Sequence, residues 1–317
     1  MGYWNHIPVS ANSVFDAIRG SVGELDLEDS SALPDLRNSE RLIVASDYGG
    51  EHSKSGHLTI SFIIASVDGC AKWNQDRLAV RSKLLGGDRT MSYKALGDSV
   101  KANALMPFLR AADSIPGLCV TLAIDKSAPE FYESSVPLDM SNPQFAPFHK
   151  WRPSVLRKAL TISHLIGLFV AGLARPGQDL YWVTDNDDIA ANRDRLGDLT
   201  KLFVWTIADH LAFNLRHVRC GTDAIDDGGR FVVDFISIAD LSAGAVYDFM
   251  EYKKRAGIEL SKQVSPIPPN TIKDKSRTIL WWYSEKTKWN LKRILFTITP
   301  GGINAKWRIS RVNIASR

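Results

Sequence analysis

The sequence predicts an α/β protein, with a mixed sheet that carries helices on both of its faces. Three observations support this prediction. Short apolar runs of strand length alternate with longer segments in which apolar residues recur at helical spacing. Their order, three strands followed by alternating helices and strands, is typical of a sheet covered on both sides. The chain also has 317 residues, 44% of them hydrophobic, which is enough for one large or two modest domains.

The first 40 residues (1–40) are predicted to be a polar lead-in. Apolar residues at helical spacing predict one short helix, over about residues 11–22. Acidic residues, a Ser pair and Pro34 within residues 24–35 predict a loop that closes this segment.

The main domain is predicted to span residues 41–255. Its strands are short and largely apolar, and they are predicted at residues 41–47, 57–66, 69–73, 118–124, 179–184 and 217–221. Its helices have apolar residues at helical spacing, and they are predicted at residues 76–85, 98–114, 153–173, 193–214 and from Asp240 onward. The Pro- and Ser-rich residues 127–148 are predicted to be a long connection over the strand ends.

The C-terminal part is predicted to be basic and rich in β-strands. Residues 256–272 are predicted to be a linker, and residues 273–317 a small extension with strands at 278–283, 293–299 and 306–312. The extension has eleven Lys or Arg and two Asp or Glu, so its charge is about +9 while the remainder is about −5. A basic segment on a mildly acidic body is compatible with a polyanionic partner, and equally with an ordinary soluble surface.

Basic and aromatic residues alternate in this extension. The residues concerned are Arg277, Lys286, Lys288, Lys292, Arg293, Trp281, Trp282 and Trp289. Such a pattern can follow a nucleic-acid backbone while the rings stack on bases, so these residues are candidates for nucleic-acid binding. A sheet packed on the main domain with a solvated basic face would give the same pattern, and both interpretations remain open.

Cysteine use and the apolar segments indicate a cytoplasmic protein. Cys70, Cys119 and Cys220 are widely spaced, which predicts free thiols in a reducing compartment, with Cys119 in a core strand. The N-terminus has no apolar signal core. The longest apolar run, residues 160–174, is short for a bilayer and is predicted to be a buried helix.

Carboxylates mark the ends of three predicted strands. Asp47, Asp125 and Asp185 each follow an apolar strand, and Asp240 begins a helix among small residues that allow close packing. If the three strands are parallel neighbours, their carboxyl ends line one edge of the sheet, where open α/β sheets bind ligands. Carboxylates gathered there repel one another unless a divalent cation neutralises them. Oxygen ligands select Mg²⁺ or Mn²⁺, so these four residues are predicted to be catalytic and to hold one or two such ions.

Each acidic residue also has a simpler interpretation. Asp is common in turns after strands, and at helix N-termini it complements the helix dipole. Other polar residues near the strand ends are candidates for accessory roles, and they are Glu51, Lys94, Lys126, Asp187 and Asp188.

With these stretches aligned, the chain resembles the domain-of-unknown-function 3800 family. The segment most specific to that family corresponds to residues 237–245, SIADLSAGA. Shorter similarities are residues 46–50 (SDYGG), 91–94 (MSYK), 124–126 (IDK) and 183–185 (VTD). The resemblance covers about residues 41–255. It departs at Tyr48, where the family has Glu, and at Ser92 or Tyr93, where an acidic partner of Lys94 is expected.

The resemblance implies a ribonuclease-H-like fold and a metal site at Asp47, Asp125, Asp185 and Asp240. The function expected is a divalent-metal-dependent nuclease acting on DNA or RNA, and the family association suggests phage or mobile-element defence. Glu51 is a candidate to replace the Glu absent at position 48. The alternative, which those departures favour, is a catalytically silent scaffold that contacts nucleic acid, a protein partner or a second copy of the chain.

Overall fold

The computed structural model describes residues 4, 13–86, 88–131, 143–258, 264–268, 271–285, 290–302 and 305–315. The strands in these ranges are β1 (Arg41–Gly49), β2 (His57–Ser66), β3 (Gly117–Asp125), β4 (Asp179–Thr184), β5 (His217–Thr222), β6 (Val264–Pro266), β7 (Leu291–Pro300), β8 (Trp307–Arg311) and β9 (Asn313–Ala315). The α-helices are α1 (Val14–Glu28), α2 (Ala71–Val80), α3 (Ser99–Ala112), α4 (Pro153–Leu173), α5 (Arg193–Ala208), α6 (Phe231–Arg255) and α7 (Asp274–Ser284).

Seven of the strands form one mixed sheet, in the order β5-β4-β1-β2-β3-β7-β8. Strands β1, β3, β4, β5 and β7 run in one direction, and β2 and β8 run against them. Strands β6 and β9 form a separate two-stranded parallel sheet. The predicted mixed α/β fold is therefore confirmed.

Side chains alternate between the two faces of the main sheet, and each face has its own core. On β1, Leu42 and Val44 pack with residues of α4 and α5, whereas Ile43 and Ala45 pack with residues of α3 and α6. We call these the α4 face and the α6 face. Because successive strand residues point to opposite faces, Asp47 continues the series of Ile43 and Ala45 and belongs to the α6 face.

Helix α4 fills the core on its own face. It is long and apolar enough to cross a membrane, but 72% of its most apolar window is buried inside the protein. The prediction of a buried helix over residues 153–173 is confirmed.

Two segments predicted to be strands are helices. The predicted strand at residues 69–73 is wrong, because α2 begins there and buries Trp73 and Arg77, which are one helical turn apart. The predicted strand at 278–283 is also wrong, because α7 buries Ser276, Ile279, Leu280 and Tyr283 at helical spacing. Short apolar runs do not by themselves distinguish a strand from a buried helix.

Helix α6 begins well before Asp240, so the predicted helix start is wrong. The Asp226 carboxylate accepts hydrogen bonds from the backbone N–H groups of Val232 and Val233, at 2.9 and 3.3 Å, and so caps the helix near Phe231. Two further ends differ from the predictions. Helix α1 continues to Glu28 into the predicted loop, and α5 ends at Ala208.

A buried ion cluster anchors the first turn of α6. The Asp234 carboxylate is fully buried and accepts hydrogen bonds from Arg81 at 2.5 and 2.7 Å and from Arg77 at 3.1 Å. Both arginines come from the α2 segment, so this cluster joins α6 to α2. It fixes the part of α6 that precedes Asp240.

The C-terminal segment contributes to the main sheet. Strand β7 pairs in parallel with β3, and β8 pairs with β7. Strand β6, within the predicted linker, pairs with β9. Helix α7 packs against α6, so the segment covers the α6 face.

The buried pair His164 and His210 predicts sensitivity to acid. Their ring nitrogens Nδ1 and Nε2 are 2.9 Å apart, and burial lowers the pKa of His164 to about 3 and that of His210 to about 4. Both side chains are neutral in the fold, whereas the unfolded chain takes up protons below about pH 6.5. Stability should therefore be full above that pH and fall by about 2–4 kcal/mol between pH 7 and pH 5.

The measurement is chemical denaturation at a series of pH values. The variant His210→Asn should lose about half of this pH dependence. The exposed control His149→Asn should keep all of it. An unchanged slope in His210→Asn would contradict the assignment.

Candidate functional site

Two carboxyl groups meet at the carboxyl edge of the sheet, on the α6 face. Asp47 lies near the end of β1, and Asp240 lies in the third turn of α6. The Asp240 carboxyl group is within hydrogen-bonding reach of the Asp47 carboxyl group. Backbone N–H groups hold each of them, since Tyr93 donates to Asp240 and Tyr48 donates to Asp47, both at 2.5 Å.

The ionised form of both carboxyl groups is disfavoured in this pair. Burial raises the pKa of Asp47 well above its usual range, and the charge of Asp240 raises it further. Burial also raises the pKa of Asp240, although the Tyr93 N–H and the Lys94 ammonium oppose the shift. Two carboxylates in contact need a proton or a cation between them. Pairs held in this way occur mainly at functional sites.

Asp185 lies beside this pair. Strand β4 runs parallel to β1 with Thr184 opposite Ser46, so Asp185 is next to Asp47 in register. Asp185 is exposed, and its charge helps to raise the pKa of both Asp47 and Asp240. Three of the four carboxylates singled out in the sequence are therefore brought together.

Asp125 does not join them. The strands of Asp47 and Asp125 were expected to be neighbours, but β2 lies between β1 and β3. Asp47 pairs with Ser61 on β2, and Ser61 pairs with Thr121 on β3. Asp125 lies four residues beyond Thr121, which places it about 16 Å from Asp47. Burial acts to raise the pKa of Asp125, but hydrogen bonds from Ser127 outweigh it and lower that pKa.

A second group of carboxylates surrounds Lys158 on the α4 face. The Lys158 Nζ atom lies 2.6 Å from Glu51, 2.6 Å from Asp187 and 3.1 Å from Asp188. It also lies 4.7 Å from the centre of the Tyr48 ring. Burial alone would lower the pKa of Lys158, but Asp187 and Glu51 outweigh it and hold that pKa above its usual range. We call this set the Lys158 cluster.

The side chain at position 48 belongs to this second group. The Tyr48 hydroxyl lies 2.7 Å from the Ser46 hydroxyl and 3.2 Å from that of Thr184. It lies on the α4 face, opposite to Asp47. A Glu at position 48 would therefore meet the Lys158 cluster rather than the Asp47–Asp240 pair, and Glu51 already lies there.

Gly244 allows the 93–94 turn to reach Asp240. A Cβ atom at Gly244 would lie 2.2 Å from the Tyr93 ring, so only glycine lets this ring pack on α6. The ring is held further by hydrogen bonds of its hydroxyl to Asp248 and Ser276, both at 2.5 Å. These contacts set the position of Lys94, whose side chain is exposed beside Asp240.

A cavity of about 580 Å³ opens on the α4 face of the same edge. Leu58, Ile60 and Ile124 line it from the sheet, and Arg157 and Lys158 line it from α4. It lies across the sheet from the Asp47–Asp240 pair. Lys126, an accessory candidate, also lines it and donates to the His52 carbonyl at 2.8 Å.

Part of the predicted nucleic-acid surface is internal. Trp282 is fully buried and donates to Asp113 at 2.8 Å, and Arg293 pairs with the same carboxylate. Their burial leaves no surface for a nucleic acid to contact. Trp281 is 41% exposed and Arg277 pairs with Asp274 at 2.7 Å. Lys286, Lys288 and Trp289 lie outside the described residues, and Lys292 is half-buried on β7.

The sequence did not indicate two residues of the site, Lys158 and Tyr93. Lys158 lies in an apolar helix, and Asp187 and Asp188 come later in the chain, so local spacing does not connect them. Tyr93 acts through its backbone N–H, which carries no sequence signal. Gly244, within the SIADLSAGA segment, was the one available indication of that close approach.

The chemistry of the Asp47–Asp240 pair fits a hard divalent cation. Its donors are all carboxylate oxygens, and the mutual repulsion of the pair is what such an ion relieves. Within the residues that the structure describes, no three His, Cys, Asp or Glu side chains are arranged as a ready-made metal site. Comparison with protein-family models, curated proteins and solved structures gives no match to this chain.

The charge repulsion at the pair predicts that Asp47→Asn stabilises the protein. A carboxyl group with a raised pKa in the folded state loses stability as the pH rises through that pKa. Removing its charge should raise the free energy of unfolding at pH 7 by about 1 kcal/mol, or Tm by roughly 2–4 °C, without added metal.

The matched control is Asp125→Asn, because Asp125 also ends a strand but its pKa is lowered. This variant should be neutral or slightly destabilised. Thermal melting of both variants in EDTA tests the difference. A lower Tm for Asp47→Asn would show that the pair is not under strain.

The Lys158 cluster predicts that Lys158→Met destabilises the protein. The Lys158 side chain is 12% exposed, and its removal leaves three carboxylates facing one another. Loss of one partner from a buried ion cluster is costly, but partial exposure of these carboxylates reduces the effect, so we expect about 1–3 kcal/mol. The exposed pair Lys72–Asp76 supplies the control Lys72→Met, expected to cost under about 0.5 kcal/mol. Equal Tm values for the two variants would refute this role of Lys158.

Proposed function

We propose that this chain is a divalent-metal-dependent nuclease that hydrolyses phosphodiester bonds. The observation that carries the proposal is the Asp47–Asp240 pair, two half-buried carboxyl groups held close together at the carboxyl edge of the sheet. Such edges are where open α/β sheets bind their ligands. A pair that lowers stability is retained for a function rather than for folding.

The strand order supports a ribonuclease-H-like core for this proposal. Strands β3, β2, β1, β4 and β5 are consecutive in the sheet, and β2 is the antiparallel one among them. This is the arrangement expected of a ribonuclease-H-like domain. Helix α6, which carries Asp240, packs across β1 and β2.

In this proposal Asp47 and Asp240 would hold the metal ion, Mg²⁺ or Mn²⁺, and Asp185 would assist through its neighbouring charge. When bound, the ion supplies neutralisation of developing negative charge and activation of the attacking water. The Tyr93 N–H orients the Asp240 carboxylate, and the Tyr48 N–H orients that of Asp47. Asp125 is left out, because its carboxylate accepts from the backbone and hydroxyl of Ser127.

The alternative is a silent binding subunit with the same fold. The observation that favours it is the Lys158 cluster, in which an internal ammonium group already pairs with three of the acidic residues at this edge. A protein that only binds its partner has no need of a further cation at the Asp47–Asp240 pair. The two proposals differ in what the pair does when metal is added.

The test is cleavage of labelled single- and double-stranded DNA and RNA with Mg²⁺ or Mn²⁺. We expect wild-type protein to cut at least one substrate, and Asp47→Asn and Asp240→Asn to reduce the rate by at least about 100-fold. Asp125→Asn, the matched control, should retain activity within about threefold. EDTA should abolish cleavage.

Thermal melting with Mn²⁺ separates the outcomes. A metal ion at 100-fold over its Kd stabilises the folded state by about 2.7 kcal/mol, and this gain should vanish in Asp240→Asn. Cleavage that survives both substitutions would place the activity elsewhere. Binding of nucleic acid with neither cleavage nor metal stabilisation would favour the silent subunit.

A further inference from the structure

Two lysines from separate elements flank the Asp47–Asp240 pair. Lys94 belongs to the 3₁₀ turn Lys94–Gly97, and its ammonium group acts electrostatically on Asp240. Lys275 belongs to the first turn of α7, in the C-terminal segment. Neither residue is close to Asp47 or Asp240 in the sequence, so the fold alone brings them to the pair.

The position of Lys275 is fixed by Tyr93. The Lys275 Nζ atom donates to the Tyr93 carbonyl at 2.6 Å and lies 4.1 Å from the centre of the Tyr93 ring. The N–H of the same Tyr93 donates to Asp240 at 2.5 Å. Because N and O of one residue are at most about 3.6 Å apart, the ammonium group lies within about 9 Å of the Asp240 carboxylate.

Among the described residues, Lys275 forms no ion pair. Its neighbours on α7 are paired, Lys273 with Asp248 at 3.1 Å and Arg277 with Asp274 at 2.7 Å. Across the described residues neither Lys275 nor Lys94 forms an ion pair. Burial lowers the pKa of Lys275 and the charge of Lys273 lowers it further, although the charges of Asp248 and Asp240 oppose the shift. An anion bound at this ammonium group would oppose the shift in the same way.

We propose that Lys94 and Lys275 form a phosphate-binding site that holds the nucleic-acid backbone against the Asp47–Asp240 pair. The inference rests on the proposed function and names how that site takes its substrate. A phosphodiester group hydrogen-bonded at about 2.8 Å to this ammonium group would lie close to the Asp240 carboxylate. The pair is acidic and would repel a polyanion, so cationic groups beside it are what binding requires.

The proposal gives the C-terminal segment a role other than the one predicted from its sequence. Trp282 and Arg293 are internal and hold α7 and β7 in place. Their packing positions the first turn of α7, from which Lys275 reaches the site. In this proposal the segment contributes one positioned lysine to the site.

The experiment is a binding titration by fluorescence anisotropy in EDTA, where no cleavage occurs. Labelled single- and double-stranded DNA and RNA are titrated with protein at 50–200 mM NaCl. We expect Lys275→Gln and Lys94→Gln each to weaken binding about 3- to 10-fold and to reduce the slope of log K against log[salt] by about 0.7–0.9. Lys275→Arg should retain most of the affinity. The control Lys201→Gln, on α5 across the sheet, should match the wild type.

The outcomes distinguish this inference from the proposed function. Melting curves establish that every variant is folded. If wild type cleaves and binds nucleic acid, and Lys275→Gln and Lys94→Gln bind with unchanged Kd and slope, the phosphate site is wrong while the nuclease stands. If wild type binds none of the four nucleic acids in EDTA, the phosphate site is likewise refuted, and the cleavage assay with Asp47→Asn decides the nuclease separately.

Discussion

The close packing of α6 against β1 and β2 is the constraint on which the candidate site depends. The Thr59 hydroxyl donates to the Ala243 carbonyl of α6 at 3.2 Å, which brings the helix backbone near the sheet. A Cβ atom at Gly49 would lie 2.6 Å from this Thr59 hydroxyl, and one at Gly244 would lie 2.2 Å from the Tyr93 ring that packs on α6. The buried Asp234 with its two arginines holds the same helix from its N-terminal end. These contacts fix the position of α6 on the sheet, and this position brings Asp240 to Asp47.

Neighbouring carboxylates repel one another on both faces of this edge of the sheet, and the chain reduces the repulsion differently on each face. On the α4 face, three carboxylates share the Lys158 ammonium group, which offsets part of their charge within the chain. On the α6 face, Asp47 and Asp240 have backbone N–H donors and a nearby lysine, which leave part of their repulsion in place. Asp47 and Tyr48 are adjacent on β1 and point to opposite faces. The Asp47–Asp240 pair and the Lys158 cluster therefore lie on opposite sides of this strand. The sheet separates the two groups, although the charge of Asp187 still raises the pKa of Asp47.

The local spacing of apolar residues predicted most of the helices and strands, but it did not predict the order of the strands in the sheet. The strands at 57–66 and 179–184 and the helix at 153–173 have the predicted bounds, because apolar runs there end at clear turn or helix-breaking residues. The prediction failed at 278–283, where a short apolar run is the buried side of α7. Asp47 and Asp185 were singled out from their strand-end positions, and Asp240 from its place among small residues, although the helix start predicted there was wrong. Asp125 shares that position but lies beyond β2, and strand order is a long-range property that no local spacing reports.

The parallel pairing of β3 with β7 has a consequence for how the chain folds in the cell. Strand β3 is almost entirely buried, but its partner β7 comes from the far end of the chain and is synthesised late. Until β7 emerges from the ribosome, β3 is an unprotected edge with unpaired backbone groups, which is a template for aggregation. The sheet can close only after residues 291–300 have been synthesised, and such long-range parallel pairing is slow. The nascent chain therefore passes through a stage in which the β3 edge is exposed.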